Sequence, residues 1–247
     1  MRTAVGQWCC CCRHNAVHAA AAGSPGRVLR ATNANAAEAA RVLREGGVVA
    51  VPTDTIYGIA AHAGINDSVS RLWDLKGRPT TLPIAVAVHD VDAIARCARV
   101  EHLPQGLLHA LLPGPVTVLL PRLEGKSAEL ASTLNPGVST IGVRVPHDDF
   151  IRVILAELKA PVALTSANAS GASSTLAVDE FEHMWPNLDA VFDGGRIASG
   201  RSGSTIVDLT DAKADGTPWN FRVVRDGSAL SPTVETVQKY GGVRSHE

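Results

Sequence analysis

The sequence predicts an α/β fold, and three observations carry that prediction. Short apolar runs rich in Val and Ile alternate along the chain with stretches of helical spacing. Clusters of Gly, Pro, Ser and Asn separate them, as turns require. No internal repeat and no second block of periodicity interrupts the order, so a single domain over residues 31–247 is the economical reading. The chain has 247 residues, 45% of them hydrophobic, enough to bury a sizeable core. Only 4% are aromatic, so that core must be built mainly from Ala, Val, Leu and Ile.

The elements follow in order. Asn33 or Asn35 can cap a helix running to about Glu45, with Ala36, Ala40 and Leu43 on one face. Gly46-Gly47 ends it. Val48 to Val51 then reads as a buried strand, which Pro52 terminates because proline has no N–H to donate. Two Thr, one Asp and one Tyr follow within five residues, closed by Gly58. Asn66 or Asp67 caps the next helix, whose apolar face is Val69, Leu72 and Trp73 and whose end is Lys76-Gly77-Arg78-Pro79. Strands are expected over 83–88, 116–120, 139–145 and 161–165. Helices are expected from Asp90, over 103–112, over 150–158 and over 179–185. Short strands over 190–192, 205–209 and 220–224 complete the sheet, and Ser231-Pro232 should open a last helix to about Lys239. The Gly- and Ser-rich stretch 194–204 reads as a mobile loop.

Residues 1–30 stand apart. They hold Arg2, Arg13, Arg27 and Arg30 and no acidic residue; the first acid is Glu38. An Arg-bearing, Ala-rich stretch without acids reads either as an organellar transit segment or as an unstructured tail. Cys9 to Cys12, with His14 and His18, invite a zinc reading, but four contiguous Cys leave no knuckle loop, and a leader is preferred. Cys97 reads as a small buried hydrophobe, and nothing suggests a disulfide scaffold. Formal net charge is −1, so no global field selects nucleic acid or membrane. No apolar run reaches the length of a membrane span.

Several familiar catalytic devices are absent. Gly125-Lys126-Ser127 resembles the end of a P-loop, but Leu120 stands where the first Gly would. There is no nucleophile elbow and no His-Glu-x-x-His. What recurs is a strand followed by hydroxyls, amides and cations. Arg144 sits in an otherwise apolar strand and needs an anionic partner, either a ligand or an internal carboxylate. Ser166 and Asn168 follow one strand, Ser204 opens another, and Arg225 closes a third. With Lys76 and Arg78, such groups suit a phosphate or carboxylate, and chemistry done by positioning and charge.

The motifs Pro52-Thr53-Asp54-Thr55-x-Tyr57-Gly58, Lys76-x-Arg78-Pro79, Pro113-Gly114-Pro115-x-Thr117, Gly142-x-Arg144-x-Pro146, Ser166-Ala167-Asn168-x-Ser170-Gly171 and Ser204-Thr205-Ile206-x-Asp208 together resemble the YrdC/Sua5 family in its short form. That resemblance implies a twisted, mixed open sheet with a concave basic face. It implies synthesis of threonylcarbamoyl adenylate from L-threonine, bicarbonate or CO2, and ATP, with release of pyrophosphate. A separate tRNA threonylcarbamoyl transferase would then make t6A at adenosine 37 of tRNAs reading ANN codons. The resemblance assigns Thr55, Arg144, Ser166 and Ser204 to threonine. It assigns Lys76, Arg78, Thr140, Asn168 and Arg225 to ATP, with Lys76 and Arg78 stabilising phosphate charge. Mg2+ would come bound to the phosphates, and the expected compartments are cytoplasm and mitochondrion.

Two positions depart from the family pattern. Leu82 stands where many relatives carry Asn, and Ala87 where many carry His. The sequence shows no second domain like that of the long form, so lid closure falls to another segment, for which 194–204 is the candidate. Two rival readings remain. One is a double-stranded RNA or tRNA-binding module, disfavoured by the near-zero charge, with weak RNA binding left open. The other is a carbamoyl-transfer maturation factor, whose additional modules are not seen.

Overall fold

A computed structural model describes residues 26–77, 83–125, 129–169 and 171–245. The chain order is β1 (Val28–Arg30), α1 (Asn33–Arg44), β2 (Val48–Val51), β3 (Gly58–His62), α2 (Asn66–Lys76), β4 (Ala85–Ala87), α3 (Leu107–Leu111), β5 (Val116–Pro121) and β6 (Thr140–Arg144). It continues with α4 (Asp149–Leu158), β7 (Val162–Ser166), β8 (Ala190–Asp193), β9 (Thr205–Asp208), β10 (Trp219–Arg225), α5 (Leu230–Lys239) and β11 (Gly242–Arg244). Among the described residues the strands form one sheet in the order β1-β8-β2-β3-β7-β4-β6-β5-β9-β10-β11. The sheet is mixed: β2, β3, β7 and β4 pair antiparallel in turn, while β4–β6 and β5–β9 are parallel.

Period-two alternation explains how this sheet is buried. Val48 and Ala50 enter one apolar cluster, Val49 and Val51 the other, so β2 reads as an unbroken apolar run. The first cluster covers its face along most of the sheet, with Ile59, Val86, Val118, Val143 and Val207 pointing into it. On the opposite face, α1 and α4 supply the cover. Ala36, Ala39, Ala40 and Leu43 of α1, together with Phe150, Ile151, Ile154, Leu155 and Leu158 of α4, fall at the i, i+3, i+4 spacing of one helical stripe. Asp148 caps α4 by accepting the Ile151 N–H at 3.0 Å. These helices leave part of the second face open. There the strands carry Gly58, Ala85, Leu164, Thr117 and Ile206, which line a cleft.

Several local expectations change. Residues 28–30 belong to the sheet: β1 pairs with β8, with Leu29 opposite Phe192, so the last residues of the stretch expected to be leader are part of the described fold. β3 was not expected, because Gly-Ile-Ala-Ala-His has neither alternation nor a β-branched run; it is secured as the return strand of a hairpin, Val51 opposite Gly58. Neither Asn33 nor Asn35 caps α1; Thr32 occupies that position, and Asn35 donates to Arg30 O at 2.9 Å. Asn66 lies inside α2, and its side-chain oxygen accepts from Ser132 Oγ and the Thr133 N–H. The segments after Asp90 and around 178–187 are 3-10 helices, the second broken at Phe181. Helix α5 begins at Leu230, which leaves Pro232 in the first turn, where it forfeits no internal bond. The Cys and His of the leader, together with Arg78, Leu82 and Ser170, lie outside the described residues.

His62, half-buried at the end of β3, accepts the Gly64 N–H at Nδ1 (3.0 Å). Burial holds its pKa below the ordinary value of about 6.5. The folded state therefore prefers the neutral ring, while the unfolded chain takes up a proton sooner. His62 contributes its stabilisation in full above its unfolded pKa and loses it as pH falls through the lower folded value. Wild type should lose urea resistance from pH 7.5 to 5 more steeply than His62→Gln; parallel curves would remove His62 as a cause.

Candidate active site

The site starts where β2 runs out. Thr53 Oγ1 accepts the Thr55 and Ile56 N–H groups (3.2 and 3.3 Å) and donates to Ile56 O at 2.8 Å. Its hydroxyl is absorbed in the turn, which leaves Asp54 and Thr55 to face other elements. Asp54 Oδ1 accepts from Arg144 NH2, and its Oδ2 accepts the His147 N–H at 3.1 Å. Both side chains of this ion pair are 8% exposed. Burial pulls the Arg144 guanidinium down from its ordinary pKa, and the charge and hydrogen bond of Asp54 oppose that pull. The buried Arg thus has an internal carboxylate partner and also lines the cleft.

The cleft measures about 660 Å³, including its open mouth. Thr55, Arg144, Ser166, Ser204 and Arg225 all line it. Five of the nine candidate residues therefore converge from five separate segments. Gly58 and Ser166 sit opposite each other on β3 and β7, which puts the Thr55 turn beside the Ser166 strand end. Thr140, Gly142 and Arg144 share one face of β6 by alternation, so Thr140 lies further along the cleft face. A Cβ added at Gly142 would come within 3.1 Å of Thr117 Cγ2 and 3.3 Å of Ala85 Cβ, so the floor there has no room for a side chain.

Lys76 is buried at the end of α2, not on an exposed helix end as its sequence position suggested. Its ammonium donates to Ser166 O at 2.7 Å and to Asn168 O, tying α2 to the turn after β7. Asn168 is buried too, and its amide donates to Ala172 O at 2.6 Å. Both residues shape the Ser166 turn from behind. Lys76→Met keeps the stem and removes these bonds; unfolding by urea should show a loss of about 1–3 kcal/mol. An unchanged midpoint would mean that the ammonium does not hold the turn.

Several contacts that build the cleft wall were not anticipated from sequence. Thr117 Oγ1 lies 2.7 Å from Ser204 Oγ. Arg225 donates to Ser204 O from Nε (3.0 Å) and NH2 (2.8 Å), and to Ser204 Oγ at 3.0 Å. Buried Asn135 accepts the Ile84 N–H and donates to Ile84 O, both at 2.8 Å, and so fixes the cleft edge Pro83-Ile84-Ala85. Its only sequence signal is Asn-Pro-Gly, which reads as a plain turn. The stretch 194–204 is pinned rather than loose. Tyr57 OH accepts the Gly194 N–H at 2.9 Å and donates to Gly195 O at 2.7 Å, and burial pushes its pKa up to about 12. Ser199 Oγ donates to Thr55 O at 2.5 Å, and Arg201 bonds Glu180 and Ser174 O. Among the described residues no group of three His, Cys, Asp or Glu is placed to hold a metal ion.

Residues 41–227 match the Sua5/YciO/YrdC family model, which carries the description "Telomere recombination". The chain belongs to the Sua5/YciO/YrdC family. Within it, the chain is 43% identical over 210 residues to human threonylcarbamoyl-AMP synthase, covering 83% of this chain and 71% of that protein. The bovine protein of the same name is 42% identical over 209 residues, covering 83% and 72%. The solved structure of Pyrococcus abyssi Sua5 complexed with L-threonine superposes with a TM-score of 0.73 at 27% identity. That alignment covers 89% of this chain and 61% of the Sua5 chain. The family motifs map onto the cleft wall described above: Thr55, Arg144, Ser166 and Ser204 line it together.

Proposed function

We propose that this chain makes L-threonylcarbamoyl adenylate from L-threonine, bicarbonate or CO2, and ATP, releasing pyrophosphate. The observation that carries the reading is the convergence of Thr55, Arg144, Ser166 and Ser204 on one cleft. Three hydroxyls and a guanidinium match the hydroxyl and carboxylate of threonine. The names of the human and bovine relatives, and the threonine-bound Sua5 structure, support the same substrate class.

The chemistry asks for positioning rather than for a protein nucleophile. Threonine's amine adds to CO2 and gives a carbamate. A carbamate oxygen attacks the α-phosphorus of ATP, and pyrophosphate leaves. Holding the two reactants in line accounts for much of the acceleration available to such a site. Arg225, held against Ser204, and Arg78, assigned by motif, would stabilise charge on the phosphates. Thr140, on the cleft face of β6, would contact the nucleotide. Hydroxyls, amides and guanidiniums suit a Mg2+ ion held by the ATP phosphates rather than by a protein cage. The adenylate is then expected to pass to a separate tRNA-modifying transferase.

The test is pyrophosphate release from ATP with threonine and bicarbonate omitted in turn. Release should require both; ATP turnover indifferent to threonine would overturn the proposal.

A further inference from the structure

Asp54 lies in the cleft-edge turn, yet no substrate-binding role has been given to it so far. Its two oxygens are committed to different elements. Oδ1 takes Arg144 NH2, and Oδ2 takes the backbone N–H of His147, three residues beyond Arg144. The carboxylate is therefore bolted to the segment that carries the Arg. Thr55 Oγ1 lies 3.5 Å from Arg144 NH1, a long contact. Arg144 Nε is fully buried and has no hydrogen-bond partner among the described residues. A buried donor left without an acceptor needs an explanation, since nearly all such groups are paired. Arg144 is 6% exposed and lines the cleft. A guanidinium held at one amino group, with its other donors weakly engaged or unmatched, is set to take an oxyanion.

We infer that Asp54 is a positioning residue, which fixes the plane of Arg144 so that its remaining donors receive the substrate carboxylate. This rests on the assignment of the cleft to threonine. Charge compensation alone would be satisfied by any nearby anion, whereas positioning requires this carboxylate at this distance, anchored on the His147 amide. Asp54→Asn can still accept the His147 N–H but no longer holds the guanidinium as an ion pair. Asp54→Glu keeps the charge, and with it the folded state, but displaces the carboxylate by one methylene.

The test is calorimetric titration of the wild type and both variants with L-threonine and with L-threoninamide, which lacks the carboxylate. Near-UV circular dichroism checks that each variant is folded. Wild type should prefer threonine over the amide. Each variant should bind threonine about 10- to 100-fold more weakly, the worth of a charge-assisted hydrogen bond, while its affinity for the amide changes little. The threonine-to-amide ratio then collapses, which a merely structural loss would not produce. A ratio kept within about twofold in folded Asp54→Glu, or tighter threonine binding by Asp54→Asn, overturns the inference. No threonine binding by wild type would instead overturn the assignment of the cleft, and the inference with it.

Discussion

L-Valine should be used at least ~10⁴-fold less well than L-threonine in kcat/KM, and L-serine roughly 10- to 200-fold less well. Valine has nearly the shape of threonine and lacks only the hydroxyl. Ser166 is the group that should read that hydroxyl. It lines the cleft, and its Oγ has no hydrogen-bond partner among the described residues. Thr55 Oγ1 lies 3.1 Å from Thr53 Oγ1, and Ser204 Oγ is shared between Thr117 and Arg225. Valine would leave Ser166 facing an apolar methyl inside the cleft, with a polar group unmatched. Serine keeps the bond and forfeits one methyl contact. Steady-state pyrophosphate release on the three amino acids measures the order. Ser166→Ala should shrink the threonine-to-valine ratio more than Thr55→Ala does. Equal use of valine and serine would show that the cleft reads shape alone.

Arg144→Met should cost about 3–5 kcal/mol of folding stability, because it strands the Asp54 carboxylate in a site where the pair is 8% exposed. The double variant Arg144→Met/Asp54→Leu should recover most of that loss, since an apolar pair of similar volume needs no charge compensation. Neither variant should use threonine. Urea denaturation separates the two contributions. If the single variant were as stable as wild type, the pair would be hydrated and its burial unimportant. If the double variant regained activity with stability, Arg144 would have no part in binding.

The strand-end motifs were legible from sequence because each combines a turn former with a polar side chain at a place where an apolar run stops. Thr55, Ser166 and Ser204 stand out in this way, and they do meet in one cleft. Arg144 was legible as a charge in an apolar strand, and both readings of it have substance: the internal partner is Asp54, and the cleft lies beside it. Lys76 misled because Lys next to Gly77 and Pro79 looks like a solvent-facing helix end. Only tertiary packing shows carbonyls waiting for it at Ser166 and Asn168. Asn135 could not be found, since its role depends on Ile84, far away in sequence. β1 and β11 are three-residue strands with no periodicity to detect, and each exists through pairing with a neighbour. Tyr57 holding the stretch 194–204 is likewise a long-range contact, invisible in the Gly- and Ser-rich composition of that loop.

The most direct measurement is identification of the product. The protein is incubated with ATP, L-threonine and ¹³C-bicarbonate, and the nucleotide fraction is analysed at once by mass spectrometry. The expected result is an adenylate one mass unit heavier than the one formed from unlabelled bicarbonate, carrying both threonine and the labelled carbon. Pyrophosphate release without carbon label in an adenylate, or a threonyl adenylate lacking the carbamoyl carbon, would contradict the assignment of the cleft to threonylcarbamoyl adenylate synthesis.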